Sequence, residues 1–159
     1  MTNMESKKID PGSYRTYIAS AGVSDLVDML SWGGVSENAI RKGRSSFIKM
    51  KEQNTQLSPC FSLKEDFSSG TVPRFNSSGE IADVELPLII DGALKNTLIS
   101  TRTANEYNLN SNFASSGEYL RSPVMESGSV NENNILSELG TGVYLSNLHY
   151  LNWSDQLGG

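Results

Sequence analysis

Hydrophobic positions along the chain change period three times, and those changes mark its elements. Tyr14-Arg-Thr-Tyr-Ile-Ala19 has the β-branched and aromatic content of a short strand. Val23, Leu26, Val27 and Leu30 then stand at i, i+3, i+4 and i+7, the spacing of one helical face. Ser20 is placed to cap that helix and Gly33-Gly34 to stop it; Ser36 is placed to cap a second helix through Arg41, ended by Gly43. From Phe47 the pattern reads as strands, over Phe47–Met50 and Leu57–Leu63, followed by a Ser/Gly/Pro loop from Ser68 to Pro73. Val84–Ile90, Asp91-Gly92 and Ala93–Ile99 form the strongest local signal. Asp-Gly accepts the positive φ angles of a type I′ hairpin turn. Pro87 has no N–H for a ladder and predicts an edge at that point. A helical turn over Arg102–Tyr107, an irregular Asn108–Ser116, a helix over Asn131–Leu139 closed by Gly140, and a long aromatic strand over Val143–Trp153 complete the series. The expected fold class is α+β, strand-rich, with a few short helices.

Composition narrows the setting. The 159 residues are only 37% hydrophobic, with 24 Ser and 14 Asn, below the apolar share of about 45–50% usual in globular domains. A loop-rich domain, or a piece of a larger one, fits those figures. Met1–Ser13 is polar and reads as a disordered leader without a signal peptide's apolar core. The longest apolar run, Leu86–Ile90, is far too short to span a membrane. A formal net charge of −5 is the wrong sign for a phosphate-backbone binder, so no direct nucleic-acid partner is expected. One cysteine excludes an internal disulfide and points to a reducing, cytoplasmic setting.

Candidate chemistry is sparse. One His and one Cys cannot build a zinc site without carboxylates. His149 is expected as a packed structural residue and Cys60 as a small buried one. Gly140-Thr-Gly142 reads as a helix stop before a strand, not as a phosphate loop. Glu80, Asp83, Glu85 and Asp91 gather about the hairpin and are expected to form a solvated face. Tyr144, Tyr150 and Trp153 are expected to fill core.

Four segments nevertheless belong together: Ser31-Trp-Gly-Gly-Val-Ser-Glu-Asn-Ala-Ile-Arg-Lys-Gly43, Leu86-Pro-Leu-Ile-Ile-Asp-Gly92, Ser100-Thr-Arg-Thr-Ala-Asn-Glu-Tyr107 and Tyr144-Leu-Ser-Asn-Leu-His-Tyr-Leu-Asn-Trp-Ser-Asp155. Their sequence resembles the C-terminal domain of the TldD/PmbA family, the metalloprotease-related proteins also called modulators of DNA gyrase. The last segment is the most specific, and the likeness runs from about Tyr14 to Asp155. The resemblance implies that residues 14–159 are part of a β-rich domain cut short at its C-terminal end, within a longer protein.

Active TldD-like members carry His-Glu-x-x-x-His on the helix after the first strand, and a later Cys as a third zinc ligand. Alignment of the helix and of Arg41-Lys-Gly43 puts Asp28, Met29 and Gly33 at the three motif positions. Met29 is no general base and Gly33 has no side chain to coordinate with. Cys60 falls well before the place of the ligand Cys. The resemblance therefore implies no catalytic, cofactor or metal residue in this chain, zinc being confined to active relatives. It implies a non-catalytic, PmbA/TldE-like subunit in a cytoplasmic protease system. Its partner would be a TldD-like catalytic subunit, or another copy of itself, and its substrates unfolded or leader peptides. Val84–Ile90 is the candidate edge for a peptide to join. Two alternatives remain: an active metallopeptidase using ligands from flanking segments, or a non-enzymatic interaction module of the gyrase-modulator kind.

Overall fold

The computed structural model describes residues 6–155 and 157. The first strand, β1 (Thr16–Ile18), leads into helix α1 (Ser20–Leu30). Ser20 does not cap α1. It is the first helical residue, and Ala19 occupies the capping position with no side-chain bond, its carbonyl accepting from the Val23 N–H at 3.0 Å. At the other end the chain reverses through Gly33, whose φ of +94° suits glycine. Helix α2 (Glu37–Arg41) is capped as its sequence predicts: Ser36 Oγ accepts from the Ala39 N–H at 3.1 Å.

Phe47–Met50 is not a strand. It starts helix α3 (Ile48–Gln53), because Phe47 and Met50, three apart, share one buried helical face. The turn before it is held by Ser45 Oγ, which donates to the Gly34 carbonyl at 2.7 Å and accepts from the Phe47 N–H at 2.9 Å. Leu57–Ser62 is not a strand either. Leu57 N–H donates to the Gly92 carbonyl, and Gly92 N–H donates to that of Phe61. The segment thereby clasps the hairpin tip, leaving Cys60 exposed rather than buried. A Cβ on Gly92 would collide with the Leu57 and Ser58 carbonyl oxygens.

Strands β2 (Leu63–Asp66), β3 (Glu85–Ile90), β4 (Ala93–Leu94) and β5 (Pro123–Met125) form an antiparallel sheet in the order β4-β3-β2-β5. Asp91 and Gly92, with φ of 49° and 76°, make the expected turn. The expected edge holds at that point: β3 lies between β4 and β2, but β4 pairs only with Ile89 and Ile90, which leaves Pro87 with a strand on one side alone. Pro87 is tolerated because β4 ends after two residues, and the Asn96 side-chain amide takes over, donating to the Pro87 carbonyl at 2.7 Å. This sheet packs with α1 and α3 about a core that includes Val27, Val35, Phe47, Leu63, Leu88, Ile89 and Leu98.

Helix α4 (Thr101–Tyr107) and the irregular stretch after it appear where expected. The expected helix over Asn131–Leu139 divides into a 3₁₀ turn (Glu132–Asn134) and helix α5 (Ile135–Leu139), with Gly140 at its end. Strand β6 (Val143–Leu145) pairs in parallel with β1, Tyr17 stacking on Tyr144 at 5.2 Å between ring centroids. The long aromatic strand stops there because β1 offers only three residues to pair with. Beyond it His149 and Tyr150 are exposed and Tyr144 is about half exposed, so neither a packed histidine nor a Tyr-filled core forms. Only Trp153 of that group is partly buried.

Three glutamates lie within the fold: Glu37, Glu65 and Glu118, each at most 2% exposed. Glu118 is bonded on both oxygens. Oε2 accepts from Ser36 Oγ (2.6 Å) and the Asn38 N–H (2.9 Å), at the start of α2. Oε1 accepts from the Ser100 N–H and Oγ, both 2.9 Å, at the start of α4. One carboxylate thus serves the positive ends of two helices. Burial opposes its ionisation, but the Ser36, Thr103, Ser100 and Asn38 hydrogen bonds outweigh it and hold the carboxyl below its ordinary value. A lowered folded value means that this stabilisation is present above the ordinary 4.5 and is lost as pH falls through the folded value. Glu118→Gln should therefore cost about 2–4 kcal/mol at neutral pH in urea unfolding. The deficit should shrink as both proteins are acidified below that range.

Candidate functional site

The motif-position residues do not converge. Asp28 stands on the exposed face of α1, Met29 is buried beneath it, and Gly33 lies in the following turn. A zinc ion needs three or four N, O or S donors at about 2.0–2.3 Å. Here one carboxylate is available, a thioether faces the interior, and the third position has no side chain. Among the described residues no three His, Cys, Asp or Glu side chains are grouped closely enough to hold a metal. The donor set does not fit zinc.

The expected acidic cluster is also dispersed. Glu85 pairs with Lys64 at 3.0 Å, and Asp83 and Asp91 face solvent. Glu80 accepts from Thr101 Oγ1 (2.6 Å) and Asn76 Nδ2 (2.7 Å), bonds that lower its carboxyl below the ordinary value. Among the described residues, Cys60 and His149 join no metal-holding cluster.

Asp28 instead belongs to a groove of about 860 Å³. One wall is β1 with the Val23, Val27 and Asp28 side of α1. The other is Pro123 and Met125 of β5, the turn through Val130, and α5 with Ile135 and Leu139. Its floor is apolar, Val27 and Leu139 being buried. Both walls carry strand edges: β5 is terminal in its sheet and fully exposed, and β1 has β6 as its one neighbour. Strand edges present N–H and C=O groups in a row, and an extended peptide satisfies them by adding a strand. A second, shallower hollow of about 200 Å³ lies across Asp28, beside Trp32, Leu148 and Tyr150.

Buried Glu65 positions the β5 wall. Its Oε1 accepts from the N–H groups of Arg121 (2.9 Å) and Ser122 (3.2 Å), the two residues that enter β5. Ser122 Oγ adds a bond to the Asp66 carbonyl at 2.6 Å. The Arg121 guanidinium lies 4.8 Å from the Phe67 ring centre and donates to the Phe75 carbonyl. Sequence reasoning missed all three buried glutamates. Glu37 alone left a trace, as an acid directly after the Ser36 cap; Glu65 and Glu118 take their partners from distant segments.

Relatives supply the family. Residues 11–159 match the model of the PmbA/TldA metallopeptidase C-terminal domain. The chain belongs to the PmbA/TldD family. Among curated protein sequences, none matches it. Among solved structures, a Thermotoga maritima protein named for modulation of a DNA gyrase superposes with a TM-score of 0.76 at 20% identity, over 91% of this chain and 34% of its own. A Bacteroides thetaiotaomicron protein named likewise gives 0.76 at 18%, over 96% and 34%. TldE from Thermococcus kodakarensis gives 0.68 at 16%, over 86% and 33%. These likenesses establish the α+β fold of the PmbA/TldD C-terminal domain, and this chain spans about a third of those proteins' length. Among the described residues no helix is long and apolar enough to cross a membrane.

Glu65 makes the PmbA/TldD domain sensitive to pH in a defined direction. Burial pushes its carboxyl above the ordinary value, more strongly than the Arg121 and Ser122 N–H groups lower it. A raised folded value gives stabilisation below the ordinary 4.5 that is lost as pH rises through the folded value. Glu65→Gln should remove that loss. Its urea midpoint should gain on the wild type between about pH 4 and pH 8, and an unchanged difference would refute the assignment.

Proposed function

We propose that this PmbA/TldD domain serves a non-catalytic, PmbA/TldE-like subunit. In this reading it helps to enclose and hold peptides for a TldD-like metallopeptidase partner in the cytoplasm. The observation that carries the reading is the position of Asp28. It occupies the first motif position, yet stands at the lip of an apolar groove with Met29 buried and no side chain at Gly33. The groove is suited to hold a chain, and the residues along it are unsuited to cut one. The likeness to TldE supports the same assignment at the level of fold.

The peptide edge moves accordingly. Within Val84–Ile90, β2 takes one side of β3 and β4 covers Ile89 and Ile90 on the other, which leaves only a short free stretch, whereas β5 and β1 present their edges beside the groove. In the proposed assembly a peptide would lie between them with its main chain bonded to one wall, an arrangement largely indifferent to side-chain identity.

Zinc analysis of the purified protein, before and after incubation with the metal, should find far less than one tightly bound ion per chain. Peptide cleavage should be absent from the protein alone and appear when a His-Glu-x-x-x-His-bearing relative is added. Stoichiometric zinc together with chelator-sensitive cleavage by the isolated protein would establish the active-peptidase alternative instead.

A further inference from the structure

We propose that the groove prefers extended peptides in which apolar side chains alternate with lysine or arginine. This rests on the groove being the peptide-holding surface described above, and adds to it a class of ligand. A strand laid along β1 or β5 sends successive side chains to opposite faces. One set reaches the apolar floor formed by Val27 and Leu139. The other set points to the rim, where the charged residues are Asp28, Glu132 and Glu138 against Arg15.

The three carboxylates stand on separate elements, α1, the 3₁₀ turn and α5, so they border the groove from both walls. None has an ion-pair partner among the described residues. Asp28 also gains from the backbone behind it, since it lies in the last turn of the eleven-residue helix α1, whose dipole favours a cation at that end. Natural helices commonly place a basic residue there, and α1 has none. Carboxylate and helix end therefore act in the same direction at Asp28, and a cation on the bound peptide relieves both. An acidic peptide would meet like charge on either wall.

Three labelled decapeptides separate the contributions: alternating Val-Lys, Val-Ser and Val-Glu, titrated with the protein by fluorescence anisotropy. Val-Lys should bind roughly tenfold more tightly than Val-Ser, as expected of three exposed ion pairs, and Val-Glu more weakly than either. The advantage should collapse between about 0.02 M and about 0.5 M salt. In the triple variant Asp28→Asn/Glu132→Gln/Glu138→Gln, Val-Lys should bind no better than Val-Ser even at low salt. Equal binding of all three peptides, a preference for Val-Glu, or a Val-Lys advantage that survives the triple substitution would overturn the charge preference while leaving the peptide groove intact. Failure of all three peptides to bind would remove the groove reading and this inference together.

Discussion

The ionised carboxylate of Glu118 holds together parts of the chain that have little else in common. Helices α2 and α4 have five and seven residues, well below the length at which a helix is stable alone in water. Each begins with a serine whose hydroxyl accepts from the backbone of its own first turn while donating to Glu118. The capping serines are thereby locked in the orientation that capping requires, and two short helices become one unit. Glu37 extends the unit, accepting from Thr97 Oγ1 and Arg41 Nε, with Lys51 of α3 at 3.5 Å. A chain poor in apolar residues has in this way replaced part of a core with fully bonded carboxylates.

That replacement explains what could be seen in the sequence. Local rules with a local cause held: the period of α1, the Ser36 cap, the Asp91-Gly92 turn and the Gly140 stop all appear. Failures came where a distant partner decided. Phe47–Met50 is too short for its period to separate strand from helix, and Ser45 with the core settled it. Pro87 correctly signalled a local edge: β4 stops short of it, and the Asn96 side chain lies there in place of a strand. His149 and Tyr150 follow a strand that had no further partner. What stands at positions 28, 29 and 33 was legible, since residue identity needs no fold. The groove beside Asp28 was not, because β5 and α5, which form its far wall, lie about a hundred residues along the chain.

Within the family the arrangement suggests how one scaffold could serve two tasks. Under the proposed alignment, the helix with the motif positions is a wall of the groove, with exposed Asp28 at the first of them and Met29 buried. In that reading the backbone stays available for holding a peptide without metal ligands, so binding and cutting would be separable on one fold.

The parallel pairing of β1 with β6 joins residues from opposite ends of the described chain through three residue pairs. Closing so long a loop carries a large entropic cost before any contact rewards it. The pairing also lies outside the four-stranded sheet that contains the core. One wall of the groove therefore hangs on a short pairing, reinforced by the Tyr17–Tyr144 stack, that the core sheet does not share.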